Sequence, residues 1–145
     1  MQRPFIHCVV EGSSMEPTLF SGESLLVNTF IYKFVRPVKG DIIAFQNSEK
    51  QYIIKRVAAS SGDIIELQHN NLYINNEYEI GGYINDKNKQ IFLQKNRFSP
   101  LIVPNGKVFV LGDNRSCSID SRKVGFISMS NVIGRVVLPP SKHVY

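Results

Sequence analysis

Gly12-Ser13-Ser14-Met15 sets two hydroxyls behind a glycine in a chain with only 3 histidines. A serine nucleophile here would need a base other than the usual imidazole. The same residues, followed by Pro17, would also make a plain turn. A candidate base lies in the run Gln51 to Ser60, "QYIIKRVAAS". Side chains alternate along an extended strand, so Lys55 shares its face with Ile53 and Val57. A lysine in water has a pKa near ~10.4 and is only roughly 0.1% neutral at about pH 7.5. Burial disfavours the ammonium and lowers that pKa by up to about 3–5 pH units, which makes a competent general base. The alternative is a lysine whose stem lies along the strand while its amine reaches water. Arg56 alternates to the other face and suits an ion pair with a loop carboxylate.

A third polar group follows the apolar run Lys107 to Leu111 in "LGDNRSCSIDSRKVGF". Gly112-Asp113-Asn114 is a turn by composition. Beyond it Ser118, Asp120 and Arg122 occupy alternate positions, and an extended chain would put all three on one face as a connected network. Read alone, the stretch is also compatible with a solvated loop and a surface ion pair of little worth.

These residues need a folded scaffold, and the composition provides for one. With 145 residues, 43% of them apolar, the chain suits a single domain that buries its own core. Its formal charge of +5 is spread without a basic run, so nucleic acid is not expected as a partner. Cys8 and Cys117 form no C-x-x-C, and His7, His69 and His143 lack metal-ligand spacing, so neither metal nor other cofactor is expected. One disulfide or two buried thiols are both compatible with the cysteines. No stretch of 18 or more apolar residues occurs and no secretory leader pattern opens the chain, which as given is expected to be soluble.

Short runs rich in Val, Ile, Tyr and Phe point to an all-β domain. They are Phe5 to Val10, Ser24 to Thr29, Asp41 to Gln46, Tyr52 to Ala58, Asp63 to Gln68, Leu72 to Asn75, Lys107 to Leu111 and Val132 to Leu138. A hairpin is expected with His69-Asn70-Asn71 as its turn, followed by another turn at Asn75-Asn76. Gly40-Asp41 and Gly62-Asp63 each precede two isoleucines, and Gly22-Glu23 precedes "SLLV" in the same way, as a recurring turn that opens a strand. Gly81 to Asn96 is polar and reads as a mobile excursion from the sheet.

Taken in order, "GSSMEPTL", "GDIIAF", "YIIKRV" and "GDNRSCSIDSR" resemble the bacterial type I signal peptidases, the Ser-Lys membrane-bound endopeptidases that remove signal peptides from exported proteins. The likeness runs from about Cys8 to Arg135 and is strongest for Gram-positive members. It implies that Ser14, not Ser13, is the nucleophile and Lys55 the general base. Ser118 would orient the lysine, and the pairs Asp120–Arg122 and Asp113–Arg56 would hold the loops. The oxyanion would meet the Ser14 backbone N–H in the Gly12 region; some members add a serine hydroxyl at the position of Gly12, which has none.

The implied fold is a compact β-barrel-like core of coiled antiparallel sheets with an irregular insertion. The implied setting is the extracytoplasmic side of the cell membrane, behind a transmembrane anchor that this chain lacks. The substrate would add a strand beside Cys8 to Gly12 and Tyr52 to Lys55, with small residues at its minus-one and minus-three positions, as in Ala-x-Ala. Pocket walls are expected from Cys8, Val10, Gly12, Met15, Leu19, Leu25, Ile42, Ile53 and Ile54. Phe30, Tyr32 and Phe34, interleaved with Lys33 and Arg36, suit contact with a phospholipid surface, although a half-buried strand gives the same alternation. Three rivals share parts of this pattern, and the mitochondrial inner-membrane peptidases share much of the "GDNRSCSIDSR" loop. A LexA-type self-cleaving domain would need an internal scissile segment, and a non-catalytic relative serving pilus assembly would be expected to have lost Ser14 or Lys55.

Overall fold

The computed structural model describes residues 2–87, 91–96, 99–139 and 142. Its strands are β1 (Phe5–Val9), β2 (Ser24–Asn28), β3 (Ile42–Gln46), β4 (Tyr52–Ser60), β5 (Ile64–Gln68), β6 (Asn71–Ile74), β7 (Glu77–Tyr78), β8 (Leu101–Ile102), β9 (Lys107–Leu111), β10 (Ile127–Ser128) and β11 (Val132–Val137). They form a seven-stranded sheet ordered β1-β2-β11-β3-β4-β9-β10 and a four-stranded sheet ordered β7-β6-β5-β8. Every pairing is antiparallel, and the larger sheet curls into a half-barrel.

The apolar run in β3 is explained by burial on both faces. Ile42 and Ala44 join a core with Val10, Met15, Leu19 and Leu25 beneath the Ser13-Ser14 turn, while Ile43 and Phe45 join Val57, Val108 and Val110 on the other side. A bulge in the β4–β9 pairing between Val57 and Ala59 then lets β4 leave this core. Ala58 and Ala59 enter a third core between the two sheets, with Ile65, Leu72, Phe109 and Leu111.

The recurring turn has one construction at all three places. Gly22, Gly40 and Gly62 have φ of 93°, 101° and 92°, values open to glycine and strained for other residues. The following Glu23, Asp41 and Asp63 accept from the backbone N–H of Phe20, Val38 and Ser60 at 3.0, 3.1 and 2.8 Å. Their own N–H groups return bonds to the carbonyls of those same residues. Each acid thus closes its turn from both sides, and the strand starts where the turn ends.

The hairpin turn is shorter than expected. Gln68 pairs with Asn71, so only His69 and Asn70 bridge β5 and β6, both at positive φ; Asn75-Asn76 repeats this between β6 and β7. Beyond Asn28, where β2 ends, the run to Pro37 is not a strand, because Ile31–Lys33 forms a 3-10 turn whose start is held by the Asn28 side chain. In the expected excursion, residues 88–90 lie outside the described ones. The rest includes a helix, α1 (Ile91–Lys95), whose Phe92 and Leu93 pack into the third core. Among the described residues no helix is long and apolar enough to cross a membrane.

Candidate active site

The Ser14 turn and the middle of β4 meet at one point. The amine of Lys55 donates to Ser14 Oγ at 2.7 Å. Lys55 is 6% exposed, held by Ile43 opposite it in β3 and by the apolar core on its face of β4. Burial pulls its pKa below the ordinary lysine value, and the Asp120 carboxylate partly offsets this. An amine so placed accepts a hydroxyl proton far more readily than a surface lysine does.

The loop after β9 holds the serine. Asn114 donates its backbone N–H to the Ser14 carbonyl at 2.9 Å and its side-chain amide to the Ser13 carbonyl at 3.0 Å. Asp113 receives Thr18 Oγ1 at 2.6 Å and two guanidinium bonds from Arg56 at 2.8 Å each. One carboxylate therefore joins the nucleophile's turn, the base's strand and the loop. Burial raises the carboxyl's pKa, but Arg56 and Thr18, with Arg115 nearby, outweigh it and hold the group below the usual carboxylate range. Gly112 lets this loop close, since a side chain there would collide with Ser118 Oγ and the Ser14 carbonyl oxygen. Thr18 and Asn114 were not singled out from the sequence; both lie inside motifs that were, and their roles depend on a contact between segments about a hundred residues apart.

Asp120 and Arg122 form the expected ion pair at 2.9 Å, with both side chains fully buried. They do not share an extended face with Ser118. Asp120 is extended but caps the short helix α2 (Ser121–Val124) by accepting from Arg122 N–H, and Arg122 already belongs to that helix. Its guanidinium then donates to the Tyr83 and Arg115 carbonyls at 2.7 and 2.8 Å, anchoring the described part of the excursion. Ser118 corrects a second expectation: its hydroxyl is fully buried yet has no hydrogen-bond partner among the described residues, so it does not bond Lys55 in this arrangement. Cys8 and Cys117 are free thiols, and burial raises the pKa of Cys8.

Two grooves meet at the Ser14–Lys55 pair. One, of about 660 Å³, runs between Cys8 to Glu11 and Tyr52 to Lys55. β1 is an edge strand, and β4 pairs with β9 only from Arg56 onward, so among the described residues both walls present open strand edges. Cys8, Val10, Met15, Ile53 and Ile54 line this groove. Leu19, Leu25 and Ile42 line neither groove; they are buried in the core behind it, which places them in a second layer rather than on the wall. The sequence reading missed this because apolar character alone does not distinguish groove wall from core. The other groove, of about 510 Å³, is lined by Gly12, Ser13, Cys117, Ile119 and Val124.

A hydroxyl touching a desolvated amine, at the floor of a groove with two open strand edges, defines a hydrolase suited to extended polypeptide. Comparison with known proteins gives the family. Residues 2–140 match the family described as signal peptidase, peptidase S26, and the chain belongs to it. It is 36% identical over 133 residues to signal peptidase I P of Bacillus subtilis subsp. natto, covering 87% of this chain and 71% of that one. It is 35% identical over 139 residues to signal peptidase IB of Staphylococcus aureus strain Mu50, covering 88% and 73%. A crystal structure of a signal peptidase I from Enterococcus faecalis V583 covers 71% of this chain and 98% of its own, at 30% identity and a TM-score of 0.50.

Proposed function

We propose that this chain is the catalytic domain of a membrane-associated serine endopeptidase that removes N-terminal signal peptides from exported preproteins. The observation that carries the reading is the 2.7 Å contact between Lys55 Nζ and Ser14 Oγ, made where the strand-edged groove ends. The signal peptide lies in that groove as an added strand, its backbone bonded to β1 and β4 and its small minus-one and minus-three side chains against Val10, Met15 and Ile54. Backbone bonds serve any sequence, and shallow apolar walls select size.

Neutral Lys55 takes the Ser14 proton as Oγ attacks the scissile carbonyl, and returns it to the leaving amine. Water then enters, gives a proton to Lys55 and attacks the acyl carbon, and Lys55 passes that proton to Ser14 Oγ as the acyl C–Oγ bond breaks. The Ser14 N–H, which donates to no other group among the described residues, is the first oxyanion donor. A single such donor is worth about 2.7–4 kcal/mol in a related mechanism. The site acts at the cell membrane, on its extracytoplasmic side.

The test is cleavage of a peptide bearing an Ala-x-Ala site by the wild-type chain, Ser14→Ala and Lys55→Met. Wild type is expected to cut after the second alanine, and each variant to lose at least roughly 10³–10⁴-fold in kcat. Cleavage retained in Lys55→Met would remove the lysine from the mechanism.

A further inference from the structure

Away from the two grooves a pocket of about 200 Å³ opens between the segment after the Ile31–Lys33 turn and the loops at the far end of β4 and the start of β9. Arg36 and Lys107 both line it, beside Ser60, Ser61 and Asn105. Neither cation makes an ion pair or side-chain hydrogen bond among the described residues. Among the described residues no carboxylate lines the pocket. The two nearest in sequence are engaged in their own turns. Asp41 accepts from the Tyr32 hydroxyl and the Val38 N–H, and Asp63 from the Ser60 N–H and the Asn75 amide.

Arg36 and Lys107 are both exposed and line one cavity with no counter-ion among the described residues, which makes the cavity electropositive and favours an anion there. Guanidinium, ammonium, hydroxyl and amide donors together match a group with several acceptor oxygens, which phosphate is. The surroundings distinguish a lipid phosphate from a soluble one. Phe34, Val35 and Val38, on the segment that forms one wall, are 82%, 47% and 58% exposed. A soluble anion would leave that apolar rim in water, whereas a phospholipid sets its acyl boundary beside its phosphate.

We propose that this pocket binds the glycerophosphate headgroup of an anionic phospholipid, with Phe34, Val35 and Val38 entering the acyl boundary. The proposal rests on the membrane-associated reading above and adds the lipid class and the residues. It fixes a contact far along β4 from Lys55, so binding and cleavage can be measured apart.

The experiment is co-sedimentation of the folded chain with vesicles of phosphatidylglycerol or of phosphatidylcholine at physiological salt. Wild type is expected to prefer phosphatidylglycerol. Arg36→Gln and Lys107→Gln should each weaken that binding about fivefold, the value of one basic residue at an anionic surface. The uncharged double variant Ser61→Ala/Asn105→Ala should weaken it as well. Lys95→Gln, the same charge change on α1, should do little. Equal weakening by Lys95→Gln would mean diffuse attraction and overturn the pocket. Inorganic phosphate that shifts the amide resonances of Ser61, Gly106 and Lys107, with no vesicle binding, would overturn the lipid in favour of a soluble anion. Vesicle binding through Arg36 and Lys107 by a chain that cannot cut the Ala-x-Ala peptide would uphold the pocket and sink only the peptidase reading.

Discussion

Lys55 carries a conflict between stability and chemistry. Its amine is buried, and its pKa is lower in the folded chain than in the unfolded one. Between those two values the unfolded chain binds more protons, so the penalty is fully present below the folded pKa and disappears as pH rises through the unfolded value, near ~10.4. Lys55→Met is therefore expected to melt at a higher temperature than wild type at neutral pH, with the advantage shrinking toward about pH 10.4. A lower melting temperature across that range would show that the amine is not a net cost. The pH–rate profile has the matching sign: kcat/KM falls as pH drops through the lowered pKa, because protonated Lys55 cannot accept. Ser118 poses the opposite question. A buried hydroxyl without a partner costs about 1–3 kcal/mol, so Ser118→Ala should fold at least as stably as wild type. If the hydroxyl turns to Lys55 during turnover, the same variant loses about 10–100-fold in kcat, the worth of one hydrogen bond to a charged group. Stability falling together with kcat would instead mean that Ser118 is already satisfied in the resting fold.

The elements that place these residues depend on a few buried polar joints. Asp120 caps α2, pairs with Arg122 and accepts the Gly112 N–H at 2.9 Å. Asp120→Ala strands a fully buried guanidinium and is expected to cost about 3–5 kcal/mol. Asp120→Ala/Arg122→Met should recover part of that loss, because no unpaired charge remains. Urea unfolding of the three variants checks it, and strict additivity would show that the pair is not coupled. The main strands were readable because Val, Ile, Tyr and Phe cluster between Gly-Asp turns. β7, β8 and β10 were not, because two residues carry no periodicity and their pairing is set by neighbours distant in the chain. α1 escaped for a related reason: its segment is polar overall and is fixed by Phe92 and Leu93 docking on a core that other strands build. Ser14 and Lys55 were readable through their motifs. The wall of the groove was not, since Leu19 and Met15 look alike in a sequence while only Met15 reaches the groove.

The molecule as a whole is tied at Asp113, where the Ser14 turn, β4 and the loop after β9 meet through Thr18 and Arg56. This tie keeps nucleophile and base in register, so its loss should disturb catalysis and stability together. Its pH dependence follows from the carboxyl pKa, which is lower in the folded chain than in the unfolded one. The folded state then binds fewer protons between the two values. The stabilisation is fully present above the unfolded pKa, near ~3.9, and is lost as pH falls through the folded one. Asp113→Asn removes the charge at every pH. It should unfold at lower urea at neutral pH, by about 2 kcal/mol, the worth of a charged hydrogen-bonded contact. The difference from wild type should narrow as both are taken below about pH 3.9, where wild type loses the same interaction. A gap that stays constant through that range would mean that Asp113 supports the fold through packing and neutral hydrogen bonds, with Arg56 contributing little to holding Ser14 against Lys55.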